Sequence, residues 1–260
     1  MSQGDVFTSE DGLAAGPLEE KTRAALRGLC ADLSRELGKK LEAVVLHGSA
    51  ARGDYIPGRS DVNVLVVVDA VTLEACDAAL APWRMSQRDA PIVVDLMTTT
   101  DLERSTDVFP LRFLNMQRGH TVLWGEDVLG GLDIQWDHLR LRVEQVIKVL
   151  LFDLRETYMR HASRPEVLGG ALSRAFGSYL IAVGALLFLK DGDWWLSGKE
   201  KIAEVAAREL DLDEPLMEKL LELHRGELEP TPAQVRSLYE SFMALVEVTA
   251  DVVDQLEEQE

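Results

Sequence analysis

Cysteine is nearly missing from this chain: Cys30 and Cys76 are the only two in 260 residues. Neither stands in a spacing that suits a metal or a redox pair, so a disulfide scaffold and a zinc module are excluded. Both are expected to be buried thiols. Positive charge is scarce as well, with 27 Lys and Arg against 45 Asp and Glu and a net charge of −18. An acidic surface repels phosphate backbones and forgoes the counterion release that drives nucleic-acid binding. Long RNA or DNA is therefore not an expected partner. Long apolar runs are lacking too. The most apolar stretch, Phe176 to Leu189, is interrupted by Gly177 and Gly184 and falls short of the ~20 residues that a membrane span needs. Residues 1–17 are polar and acidic, unlike a secretory leader. No membrane association is expected, and a cytoplasmic location is.

What remains is rich in core material. Hydrophobic residues make up 47% of the chain, which excludes a wholly disordered protein. Residues 1–16 read as a disordered tail. Pro17 suits a first helical position, and Ala25, Leu26, Leu29, Leu33 and Leu37 recur at helical spacing up to Gly38. A short apolar run follows at Ala43 to Leu46, then a glycine-containing loop from His47 to Ser60. Val62 to Val68 is β-branched and reads as a strand. Thr72 to Trp83 reads as a helix and Pro91 to Met97 as a further strand. The sheet is expected to lie within residues 41–125.

After about Gly131 the periodicity becomes helical. Leu139, Val143, Val146, Ile147, Leu150 and Leu154 form one face of a helix over Trp136 to Arg160. Capping boxes are expected at Ser163 with Glu166, Ser197 with Glu200, and Thr231 with Gln234. The fold class is α+β: a mixed sheet with flanking helices at 17–130, followed by an all-helical domain of about five helices at 131–260. The glycine-bearing segment Gly169 to Leu189 suits close helix packing, and a homodimer is among the expectations.

The chemistry concentrates in Val44 to Val68, VVLHGSAARGDYIPGRSDVNVLVVV. A strand ends at His47, Gly48 lets the backbone come close to a ligand, and Ser49 opens a short helix. Amides at a helix start, with the positive end of its dipole, favour phosphate. Asp61 and Asn63 are two apart on the strand reading and so share a face, while Val62 and Val64 face the core. Asp95 on the next strand reaches the same face if the two strands are neighbours. A phosphate cradle beside converging oxygen ligands is what Mg²⁺-assisted phosphoryl transfer needs.

Gly-Ser, a loop, Asp-x-Asp on a strand and a third Asp on a later strand form the signature of the DNA polymerase beta-like nucleotidyltransferases. This sequence resembles that superfamily. The run Gly48-Ser49-Ala50-Ala51-Arg52-Gly53-Asp54 is similar to the minimal and aminoglycoside nucleotidyltransferase branches, in which a helical domain commonly follows. The resemblance implies that Gly48 and Ser49 hold the nucleoside triphosphate. It implies that Asp61 and Asp95 act as catalytic carboxylates, and that Asp61, Asn63 and Asp95 hold Mg²⁺. Asn63 stands where the family has its second carboxylate, which removes one negative charge from that metal site. Arg52 and Arg59 in the loop are candidates for the triphosphate. His47 is expected to be satisfied by a hydrogen bond at the strand end. Glu144 or Glu156 could serve as a general base, and Trp194 and Trp195 read as core or interface anchors.

The resemblance implies transfer of a nucleoside monophosphate from a triphosphate to a hydroxyl of a small molecule or protein. The alternative is a nucleotide-binding relative that has lost the chemistry, a sensor or interaction module. A third possibility is a structural or dimerisation module carried by the helical half.

Overall fold

The computed structural model describes residues 18–53, 55–192 and 198–256. The tail, Pro17, Asp54, Trp194, Trp195 and Ser197 lie outside the described residues. The chain divides into two compact units, residues 1–134 and 135–260.

In the first unit, α1 (Glu20–Leu37) leads into β1 (Leu41–His47), α2 (Ser49–Arg52), β2 (Val62–Val68), α3 (Leu73–Ser86), β3 (Ile92–Met97), α4 (Thr99–Arg104), α5 (Pro110–Arg118) and β4 (His120–Gly125). The sheet order is β3-β2-β1-β4. β1 is antiparallel to both β2 and β4, whereas β2 and β3 run parallel, joined by the α3 crossover. α1 begins at Glu20 after an N-cap at Glu19, and Gly38 ends it at a positive φ of 55°.

Side chains alternate across each strand, so the sheet has two distinct faces. One buries Val44, Leu46, Val62, Val64, Val66 and Val68 against Leu26, Leu29, Cys30 and Leu33 of α1 and Ala75 and Ala79 of α3. The other buries Ala43, Val45, Leu65 and Val67 under Leu102 of α4, Phe113 and Met116 of α5, and Leu129. Cys30 is fully enclosed, and burial pushes its thiol up to about 12. Cys76, expected to be buried, is only partly so. It lies on α3 beside the core residue Ala75 rather than in its place.

The second unit contains α6 (Trp136–His161), α7 (Pro165–Lys190), α8 (Lys199–Glu209), α9 (Glu214–Arg225) and α10 (Pro232–Asp254), and no strand among its described residues. The Thr231–Gln234 capping box forms, with Gln234 Oε1 accepting from the Thr231 amide at 2.8 Å. The box at Ser163 does not. Pro165 takes a first-turn position, which moves the N-cap one residue on to Arg164, and no side chain caps there. The N-cap of α8 is Gly198. A box that the sequence reading passed over forms at Thr98 with Asp101.

α7 is 26 residues long and apolar enough, by length and composition, to cross a membrane, but 67% of its most apolar window is buried within the structure. It is the core helix of this unit. Tyr179 and Phe242 meet edge to face with centroids 5.4 Å apart. The Tyr179 hydroxyl lies 2.8 Å from Thr249 Oγ1, which itself donates to the Leu245 carbonyl, so the buried phenol finds its acceptor. Gly177 faces the His224 ring of α9. A Cβ there would stand 2.8 Å from Cε1 of His224.

Candidate functional site

β1 is buried along nearly its whole length and delivers the chain to Gly48 at one end of the sheet. Gly48 has φ 78°, a left-handed conformation that side-chain-bearing residues avoid. It also passes close to β2: a Cβ at this position would lie 3.1 Å from Asn63 Nδ2. The single turn α2 starts at once, and the Ala51 and Arg52 amides close it by donating to the Gly48 carbonyl, each at 3.1 Å. The amides of Ser49 and Ala50 precede any intrahelical acceptor, as at every helix start. Gly53, in the left-handed region, ends the turn.

The strand register fixes which side chains share this end. His47 pairs with Asn63 across β1 and β2 and with His120 across β1 and β4. Leu65 pairs with Asp95 across β2 and β3. Partners in register point to the same face, and residues two apart do likewise. His47, Asn63, Asp95 and His120 therefore lie on one face, the one whose far end is the Val45 and Leu65 core. Asn63 and Asp95 share this face because β2 and β3 are neighbours, the condition that the reading of Asp95 set.

Asp61 departs from that reading. β2 begins at Val62, whose amide is bound by the Pro91 carbonyl at 3.0 Å, so Asp61 precedes the strand and is exposed. It stands at the end of the loop that leaves α2. That loop is pinned to the core by Tyr55, which is 8% exposed, and folded by the Ile56 amide donating to Ser60 Oγ at 3.0 Å. Arg52 extends over the turn between α5 and β4, where its Cγ would be 2.4 Å from a Cβ on Gly119.

Two further groups meet Asp95. Arg112 of α5 donates from Nη2 to Asp95 Oδ2 at 2.6 Å. His47 presents Nε2 3.7 Å from the same oxygen. That is beyond hydrogen-bond reach, so the expected hydrogen bond at this nitrogen is not made; His47 is nine-tenths buried and its Nε2 has no hydrogen-bond partner. The ring is held there because β1 ends on the covered part of the sheet. His47, with Arg112 alongside, holds the Asp95 carboxyl below the usual carboxylate range, against the opposing effect of its partial burial. His120 sets Nδ1 2.9 Å from the Gln117 carbonyl and Nε2 3.1 Å from Asp127 Oδ1. Asp127 in turn accepts from the Leu129 and Gly130 amides.

Arg112 and the inward ring of His47 are the members of this site that sequence reasoning missed. Period-two alternation carries His47 to the Asn63 face, a signal available once β1 and β2 are paired. Arg112 sits on a helix 17 residues beyond Asp95, and nothing in its neighbourhood distinguishes it from a solvated arginine. The glutamates considered as bases are engaged elsewhere. Glu144 lies between Arg140 at 3.3 Å and Lys148 at 2.7 Å, and Glu156 is paired with Arg160.

Among the described residues, no group of three or more His, Cys, Asp or Glu side chains is arranged to hold a metal ion. The donor set does not fit a three-carboxylate, two-ion site: one position is an amide, one carboxylate is off the strand, and the third is already bonded to a guanidinium.

Residues 27–115 match the family model for a nucleotidyltransferase domain. That span covers the described site from His47 to Arg112. The crystal structure of spectinomycin adenyltransferase AAD(9) from Enterococcus faecialis with ATP and spectinomycin matches with a TM-score of 0.51. It covers 84% of this chain and 98% of its own, at 13% identity, so the likeness is one of fold. No curated protein sequence matches.

Proposed function

We propose that the front of the chain, whose residues 27–115 match a nucleotidyltransferase domain model, transfers a nucleoside monophosphate from a triphosphate to a hydroxyl of a small molecule. The observation that carries this reading is the juxtaposition at the end of β1. A positive-φ glycine and a helix start lie against Asn63, with Asp95 on the same face. In the reaction the acceptor oxygen bonds to the α-phosphorus, the bond to the β-phosphate oxygen breaks, and pyrophosphate leaves. The hydroxyl gives up its proton to solvent water.

The chain's own groups divide this work. The Ser49 and Ala50 amides, the Ser49 hydroxyl and Gly48 receive phosphate oxygens. Arg52, which reaches from the same turn, supplies positive charge to the triphosphate. Triphosphate in solution carries Mg²⁺, and that complex is the substrate; Asp61 and the Asn63 carbonyl offer it oxygen ligands. Asp95, held below the usual carboxylate range, stays ionised and is a weak proton acceptor. Its part is to fix charge and orientation at the sheet edge. The small-molecule acceptor is supported by the likeness to an adenyltransferase solved with spectinomycin.

The test uses each α-labelled triphosphate with Mg²⁺ and a panel of hydroxyl-bearing small molecules, aminocyclitols among them. Label transfer and pyrophosphate release are followed together. Acceptor-dependent release with label on the acceptor is the expected result. A nucleotide-raised thermal midpoint with no release for any acceptor would instead favour a non-catalytic nucleotide binder. No response of either kind would sink the reading.

A further inference from the structure

Asn63 and Arg112 are unusual in the same sense, since each makes this site less negative than its type requires. The amide at 63 removes one carboxylate charge. The guanidinium of Arg112 neutralises another, because its Nη2 lies 2.6 Å from Asp95 Oδ2 in a charge-assisted bond. His47 Nε2 also lies 3.7 Å from that oxygen. Asp61, Asp95 and Arg112 together leave one net negative charge, where three carboxylates alone would leave three. Hard divalent ions are held by carboxylate charge and count. A site this close to neutral has no basis for gathering two of them.

Resting on the nucleotidyl-transfer reading, we propose that Arg112 supplies at Asp95 the positive charge that a second divalent ion would otherwise bring, and that Asn63 is the matching change. The site then accepts a single cation, the one that arrives on the triphosphate. Arg112 stays on Asp95 throughout and acts as a positioning residue. The two positions form one exchange of charge, so reversing either alone leaves the site mismatched. Asn63→Asp restores a carboxylate beside a guanidinium that still holds Asp95. Arg112→Ala frees Asp95 beside an amide. Only the double substitution rebuilds an arrangement with three available carboxyl groups.

The experiment counts Mn²⁺ by the paramagnetic resonance of the free ion, with and without an ATP analogue bearing a methylene between the α- and β-phosphorus. Five proteins are compared: the parent, N63D, R112A, N63D/R112A and, as the charge-preserving control, R112K. With the analogue, the expected count is one Mn²⁺ per chain for the parent and R112K and two for N63D/R112A. Without nucleotide, the double variant should bind Mn²⁺ about tenfold or more tightly than the parent, from its restored carboxylate set. Two ions on the parent would overturn the proposal, and so would a double variant that matches the parent in both conditions. If the analogue binds none of the proteins, the nucleotidyl-transfer reading falls, and the Mn²⁺-alone comparison still decides the charge exchange. Arg112 is 44% exposed, so R112A is expected to fold; near-ultraviolet circular dichroism checks it, and R112K provides the folded reference.

Discussion

The two faces of the one sheet carry different kinds of information. On the α1 and α3 face every inward position of β1 and β2 is aliphatic and closed to solvent, from Val44 and Leu46 to Val62, Val64, Val66 and Val68. On the other face the same two strands are apolar at Ala43, Val45, Leu65 and Val67 and polar at the end they share, His47 and Asn63, with Asp95 of β3 in register with Leu65. Packing explains the first face completely. It does not explain the second, because a buried imidazole nitrogen without a partner and a half-buried carboxylate both work against stability. The lesson is that a departure from apolar patterning on one face, with none on the other, marks the site more sharply than any single residue type.

Substitutions can break this contrast. The largest effect is expected on the closed face. Val66 is fully buried, and Val66→Asp should cost on the order of 4 kcal/mol or more, enough to abolish the folded state. Loss of a cooperative unfolding transition is the measurement. A Val66→Asp protein with a near-parental midpoint would mean that the two faces are not distinct. Next comes Gly125→Ala, at the opposite end of β1 from the site. A Cβ there would lie 2.1 Å from the Glu42 carbonyl oxygen, at a φ of 81°. Backbone must move, so denaturant titration should give a loss of about 2–3 kcal/mol. Nucleotide affinity per folded molecule should not change.

Asp95→Leu is the counterpart on the open face. The carboxylate is 31% exposed and its partner Arg112 is 44% exposed, so stability should move by no more than about 1 kcal/mol. Transfer should fall by about 100-fold. A fall in stability without a fall in transfer would make Asp95 a structural residue. Gly48→Ala should be smaller still, about 1 kcal/mol for the left-handed turn, with nucleotide affinity reduced roughly tenfold as Asn63 is pushed aside. The smallest effect is a pH dependence at Asp127. Its burial raises the pKa, but the Gly130 and Leu129 amides and His120 outweigh that and hold it below the usual value. A carboxyl depressed by folding contributes stability above its unfolded pKa of about 3.9, and that contribution disappears as pH falls through the folded value. Asp127→Asn should therefore lower the midpoint slightly at neutral pH and flatten its decline as pH falls below about 4.

Much of this was legible in the residues because alternation is a geometric rule. Once Val62 to Val68 is read as a strand, Asn63 must oppose Val62 and Val64, and β-branched density alone identifies the strand. Asp95 was legible for the same reason, as the one charged residue in the apolar run Ile92 to Met97. The parts that were not legible depend on long-range contact. Arg112 meets Asp95 only because α5 folds back across the sheet. Asp61 falls outside β2 because the Pro91 carbonyl, not a strand neighbour, sets where pairing starts. β4 carries His120 and Thr121 at its first two positions, too polar a start for its strand character to be read from pattern. The box at Ser163 failed because a proline two residues later fixes the helix start more firmly than a serine does.

Tyr55 gives the loop between α2 and β2 a property of another kind. Its ring is sunk into the core midway between the glycine turn and Asp61, so the stretch proposed to receive a triphosphate is divided into two short tethered spans. A loop held this way has less freedom to surrender when a ligand arrives. Were the anchor absent, every binding event would first have to gather the loop, and apparent affinity would drop although no ligand contact had changed. The tyrosine thus bears on recognition without touching what is recognised: it supplies readiness.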